Sequence, residues 1–157
     1  MQNIPYAIRK AKKEDIDEVY HLGNKINQLK FSFSKKHNFH EKDEMTEWIR
    51  KPKDNIFLVS FHNEKAVGFL YAKIIDCHWC LLDNIAVLPK YRKHGIGTML
   101  LDELYNILRE QKIDYIQILE EVHHKKTREF WKKKGFRERH VFIWADKTLE
   151  NHSDFLA

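Results

Sequence analysis

Three closely spaced apolar runs between residues 55 and 88 constrain this chain more than any other feature. Ile56-Phe57-Leu58-Val59-Ser60-Phe61, Ala66-Val67-Gly68-Phe69-Leu70-Tyr71-Ala72 and Leu81-Leu82-Asp83-Asn84-Ile85-Ala86-Val87-Leu88 are dominated by apolar residues, many of them β-branched or aromatic, a composition that fits the pleated, half-buried surface of a sheet. The polar turn His62-Asn63-Glu64 joins the first two and is short enough for an antiparallel hairpin. Pro89 stops the third, because proline has no N–H to give to a ladder. Three consecutive antiparallel strands are therefore expected, and the rest of the chain must cover their faces.

The flanking sequence supplies the cover. Tyr6-Ala7-Ile8-Arg9-Lys10 reads as a short first strand. Ile16, Val19, Tyr20 and Gly23 then recur at helical spacing. A second helix carries Met45, Trp48 and Ile49 on one face, and Pro52 ends it. Between them Phe31, Phe33, His37, Phe39 and His40 cluster in a stretch with no clear period. Beyond Pro89, Leu100, Leu101, Leu104, Ile107 and Leu108 fall at i, i+1, i+4, i+7 and i+8, the stripe of an amphipathic helix. Tyr115-Ile116-Gln117-Ile118-Leu119 predicts a strand, residues from about His124 to Lys134 a charged helix closed by Gly135, and Val141-Phe142-Ile143-Trp144 a last strand. No repeat and no Gly/Ser/Pro-rich linker interrupts this order, so one α/β (α+β) domain is expected over residues 1–157, with 146–157 a polar tail.

Of the 157 residues, 43% are hydrophobic and 13% aromatic, enough for a core without staples. The start lacks the charged and apolar regions of a leader, and no run is long enough to span a bilayer, so a cytoplasmic protein without a membrane partner is expected. The formal charge of +5 favours an anionic partner; charge alone does not choose among nucleic acid, a membrane surface and a phosphate-bearing small molecule. Cys77 and Cys80 form a C-x-x-C, but within an apolar strand-like run and without a second pair to complete a zinc site. They read as ordinary reduced cysteines, and no metal is expected.

Gly95 and Gly97 stand where the basic loop Lys90-Tyr91-Arg92-Lys93-His94 gives way to the apolar-striped helix. A helix start offers unpaired N–H groups and the positive end of the dipole, and glycine lets an oxyanion approach them. The loop does not fit two other phosphate binders. No lysine follows Gly97 as a Walker A loop requires, and Leu100 occupies the third glycine of a dinucleotide fingerprint.

The segment 82–108, with Val87-Leu88-Pro89-Lys90-Tyr91 ahead of Arg92-Lys93-His94-Gly95-Ile96-Gly97, resembles the acyl-CoA signature of the GNAT superfamily, whose core is [RQ]-x-x-G-x-[GA]. Ile8-Arg9-Lys10-Ala11 with Glu14-Asp15-Ile16 resembles the opening strand and helix of that family, and Phe130-Trp131-Lys132-Lys133-Lys134-Gly135-Phe136 its "LYxKxGF" element. The resemblance implies an N-acetyltransferase that uses acetyl-CoA on an amine acceptor, as a monomer or homodimer. It implies a mixed, largely antiparallel sheet of six to seven strands with about four helices, splayed between the fourth and fifth strands. The backbones of Ile85, Ala86 and Val87 would line the pantetheine arm, and the amides of Arg92, Lys93, His94, Gly95, Ile96, Gly97 and Thr98 would hold the pyrophosphate.

Transfer to an amine needs a proton acceptor, an oxyanion donor and a proton for the thiolate. Asp83 stands nine residues before Arg92, where many relatives carry a glutamate thought to act as base, and simple alternation sets it on the strand face of Ile85 and Val87. A carboxylate with an ordinary value near ~3.9 is a poor base unless its surroundings raise it, so attraction of the ammonium is an equal reading. Glu120 and Glu121 are second candidates. By resemblance the oxyanion donor is a main-chain N–H near Val87. Trp131 stands where many relatives have an acidic tyrosine, and its indole N–H is no physiological acid; His124 or His123 would substitute, or simply be solvated. The acceptor cleft would draw on Phe31, Phe33, His37, Phe39, His40 and Arg137-Glu138-Arg139-His140, or the aromatic residues would be core. A non-catalytic acyl-CoA sensor and a nucleic-acid-binding module, suggested by Lys10, Lys12, Lys13 and the basic residues 125–134, are the competing classes.

Overall fold

A computed structural model of the chain describes residues 6–26, 39–143, 145 and 147. Phe31, Phe33 and His37 of the expected acceptor cleft, and Trp144, lie outside the described residues. Five strands form one sheet in the order β1 (Tyr6–Lys10), β2 (Asn55–His62), β3 (Lys65–Ile74), β4 (Trp79–Val87), β5 (Tyr115–Ile118). The first four are antiparallel neighbours, and β5 runs parallel to β4. Helices α1 (Ile16–Lys25), α2 (Lys42–Arg50), α3 (Ile96–Glu110) and α4 (Lys125–Lys133) complete the described elements.

Alternation along the strands divides the core in two. Ile56, Leu58, Leu70 and Leu82 meet Leu100, Leu101, Leu104 and Leu108 of α3, with Trp131 of α4. Phe57, Val59, Phe69 and Tyr71 meet Ile16, Val19 and Leu22 of α1 and Met45 and Trp48 of α2. Leu100, Leu101 and Leu104 are completely buried, so truncating any of them to alanine costs about 2–5 kcal/mol. Gly23 lets α1 approach the ring of Phe39, since a Cβ there would sit 2.1 Å from Phe39 Cε1. Phe39 is therefore a core residue, and its neighbour His40 is left at the edge of β4.

Two expectations are corrected. The sheet has five strands among the described residues, not six to seven. Val141, Phe142 and Ile143 are irregular, with 82%, 70% and 94% of their surfaces exposed. Their strand-like composition finds no ladder partner among the described residues, and without one β propensity has nothing to pack against. The second correction concerns Asp83. In the β3–β4 ladder Tyr71 pairs with Asn84 and Ala72 with Leu82, so Asp83 is the extra residue of a β-bulge. A bulge breaks the two-residue alternation. Ile85 and Val87 pack on the α3 face with Leu82, whereas Asp83 meets His40 among the rings of the α1/α2 face.

Candidate functional site

The ladder between β4 and β5 joins Trp79–Leu82 to Tyr115–Ile118 and goes no further, while β4 continues to Val87. The parallel partner thus ends where the bulge begins. On that side the last stretch of β4, containing Ile85, Ala86 and Val87, has no ladder neighbour among the described residues, and its main-chain groups that face away from β3, apart from the Val87 carbonyl, are open to an extended ligand.

The chain then turns through Pro89–Tyr91 into the basic loop. Arg92 Nε donates to the carbonyl of Val87 at 2.9 Å, tying the loop to the end of β4. Lys93 has φ 65° and Gly95 φ 82°, so two left-handed residues reverse the chain before α3. At Gly95 this conformation favours glycine, and a Cβ would meet no atom within 4 Å. No side chain caps α3, so its first amides lack the acceptor that a serine or aspartate cap would supply. Gly97 is helical, and a Cβ there would touch only the ring of Phe130 at 3.7 Å. Packing among the described residues does not demand glycine at 97. Lys90, Arg92, Lys93 and His94 lie in the loop just ahead of this start. Lys134 joins them from the end of α4, its Nζ donating to Thr98 Oγ1. Sequence reasoning missed Lys134 as part of this site, because 36 residues separate it from Thr98; its place in the FWKKKGF element was the available signal.

Asp83 has its own neighbourhood. Its side chain is 38% exposed, and Oδ2 lies 3.3 Å from His40 Nε2 and accepts from Asn84 Nδ2 at 2.6 Å. His40 Nδ1 lies 3.5 Å from Glu44 Oε2, so the imidazole sits between two carboxylates. Its ring packs edge-on to Trp48 at 4.8 Å and to Tyr71 at 6.2 Å, which leaves the side chain only 13% exposed. Burial, together with the charges of Asp83 and Glu44, pushes the Tyr71 phenol far above its ordinary range. Its O–H instead donates to Asn55 Oδ1 at 2.8 Å. The bulge that turns Asp83 toward His40 left no mark in the sequence, so this cluster was not legible there.

The remaining candidates gather in the loop between β5 and α4. His124 Nδ1 lies 3.0 Å from Glu120 Oε1, and Glu120 Oε2 accepts from the Trp131 indole N–H at 3.3 Å. Trp131 is only 6% exposed and packs at right angles to Phe130 and Phe136. Its ring belongs to the core, and its polar edge serves Glu120. Arg137 and His140 follow in irregular backbone, while Glu138 is held by Arg128, whose hydrogen bond draws the carboxyl down to about 2.

A model of the acetyltransferase (GNAT) family matches residues 7–136 of the chain. An uncharacterized N-acetyltransferase of Methanocaldococcus jannaschii is 28% identical in an alignment of 149 positions that covers 87% of this chain and 62% of that protein; the chain thus spans about three-fifths of that relative's length. The PaiA N-acetyltransferase of Thermoplasma acidophilum, solved in complex with coenzyme A, superposes with a TM-score of 0.72 over 96% of each chain at 20% identity. Ard1 of Thermoplasma volcanium gives 0.70 at 22% identity, over 86% of this chain and 84% of that one. The family match covers both the strand end and the helix start built above, and the chain belongs to the acetyltransferase (GNAT) family.

Proposed function

We propose that the protein is an acetyl-CoA-dependent N-acetyltransferase that acts on the primary amine of a small molecule, an amino acid or a peptide. The observation that carries this reading is the junction of a β4 end that, among the described residues, has no ladder neighbour on its β5 side with an uncapped, glycine-lined helix start that follows a basic loop. An extended arm suits the first, and a pyrophosphate suits the second. The PaiA relative's complex with coenzyme A adds support from a shared fold.

Residues 92–98 hold the pyrophosphate with main-chain amides, helped by Arg92, Lys93, His94 and Lys134. Ile85, Ala86 and Val87 line the pantetheine arm through their backbones. Asp83, at the bulge, takes the proton from the acceptor ammonium directly or through one water. His40, held between Asp83 and Glu44, fixes the carboxylate's direction. The freed amine attacks the thioester carbon, the C–S bond breaks, and the thiolate leaves. A free thiol titrates near ~8.5, so water suffices to protonate it, and Trp131 need supply nothing beyond packing.

The test is thiol release from acetyl-CoA against a panel of amines, amino acids and peptides, with coenzyme A binding measured by calorimetry. Turnover with any member supports the reading. Binding without turnover across the panel points to an acyl-CoA sensor, and no binding at all removes the donor site.

A further inference from the structure

We infer that the loop joining β5 to α4 holds a transition-metal site, built for zinc, from Glu121, His123 and His124. One ligand atom from each residue lies within 4.8 Å of those of the other two. Glu121 Oε2 is 2.7 Å from His123 Nε2 and 3.6 Å from His124 Nε2. Tetrahedral zinc, with bonds of 2.0–2.1 Å, sets its ligand atoms roughly 3.3 Å apart. Two of the three separations bracket that value, and the third lies within 4.8 Å.

Orientation is the second observation. Histidines that bind metal present one ring nitrogen and give the other to a carboxylate, which fixes ring and tautomer. His124 does this: Nδ1 pairs with Glu120 Oε1 at 3.0 Å, and Nε2 turns to Glu121. Glu120 is itself fixed, because its other oxygen accepts from the buried indole of Trp131. The loop backbone is pinned as well. His124 N donates to Glu121 O at 3.0 Å, and Lys125 N to His123 O at 2.9 Å. Arg128 Nη1 bonds the Val122 carbonyl at 2.6 Å.

Two imidazoles and a carboxylate are the donor set that borderline cations such as zinc take. Three protein ligands leave a position open to water or another small ligand. The side chains of Glu121 and His123 are exposed and that of His124 is partly buried, and we expect an affinity in the micromolar range. This inference stands apart from the acyl-transfer reading, and neither needs the other.

The full chain, stripped with a chelator, is titrated with zinc by calorimetry, and with cobalt(II) by visible absorption. The expected result at pH 7.5 is one site, weakened at least tenfold by His123→Ala and by His124→Ala. Glu120→Gln, which removes the orienting charge, is expected to cost about tenfold. His78→Ala, in the turn ahead of β4, should change nothing. All four are checked by thermal melting, and the exposed positions 123 and 78 keep the comparison open if another variant melts early. No saturable binding overturns the proposal, as does binding undiminished in the His123→Ala/His124→Ala double variant. Unaltered affinity in a folded Glu120→Gln variant overturns the orienting role of Glu120.

Discussion

The start of α3 and the surroundings of Asp83 are built in opposite ways. At α3 the groups proposed to hold the donor are main-chain amides, and the side chains that matter to that proposal matter by being small: Gly95 adopts a left-handed turn, and a Cβ at Gly97 would meet only ordinary contact among the described residues. At Asp83 the working groups are side chains brought from three elements: His40 and Glu44 at α2, Tyr71 on β3, Asp83 and Asn84 on β4. A site made of backbone tolerates drift in most of its residues, whereas a site made of side chains fails when any one is cut. The first can therefore serve a cofactor shared by many proteins, and the second can be specific to this one.

The sharpest break of that comparison is Asp83→Asn, which keeps shape and removes charge. Turnover is expected to fall by ~10²-fold or more while coenzyme A affinity stays within about twofold. Unchanged turnover across the pH range would move the proton acceptor to Glu120, Glu121 or bulk water. Gly97→Ala tests the backbone half. A helical glycine-to-alanine change gains roughly 0.5–1 kcal/mol of stability, and among the described residues the new methyl would meet only the Phe130 ring, at 3.7 Å. The variant should melt higher and yet bind coenzyme A about tenfold more weakly by calorimetry; tighter or equal binding would put the pyrophosphate elsewhere.

His40→Gln asks whether the imidazole is more than packing. A positioning role predicts a several-fold drop in kcat, little change in KM for acetyl-CoA, and a displaced acid limb in the pH–rate profile. A flat ratio to wild type at every pH would make His40 a core residue like Phe39.

Arg9 and Asp15 provide a side-chain-built contact with no part in either half. Burial raises the Asp15 carboxyl, but the Arg9 hydrogen bonds at 2.6 and 2.8 Å and the Lys12 amide outweigh it, so the group lies below its usual range. A lowered folded value means that the contribution is complete above the unfolded value near ~3.9 and is lost as the pH falls through the folded one. Asp15→Asn should cost on the order of 1 kcal/mol at pH 7, and the gap to wild type should close in acid melts. The smallest effect is chemical. Burial pushes the Cys80 thiol up to about 12, and Cys77 is exposed, so a thiol reagent at neutral pH should label Cys77 alone in the folded protein.

The sequence by itself determined the parts that depend on neighbours in the chain. The hairpin of β2 and β3, the stop at Pro89, the turn at Gly95 and the stripe of α3 each follow from local propensity and period, and together they place the proposed anion site. Tertiary structure decided the rest. Whether Val141, Phe142 and Ile143 form a strand depends on a ladder partner, which the residues themselves do not name. The face of Asp83 depends on the register between β3 and β4, where a one-residue bulge reverses what alternation implies. The partners of Asp83, Thr98 and Trp131 lie 43, 36 and 11 residues away. Contacts at such separations are fixed by which faces the packing brings together, and a linear pattern carries the faces but not their meeting.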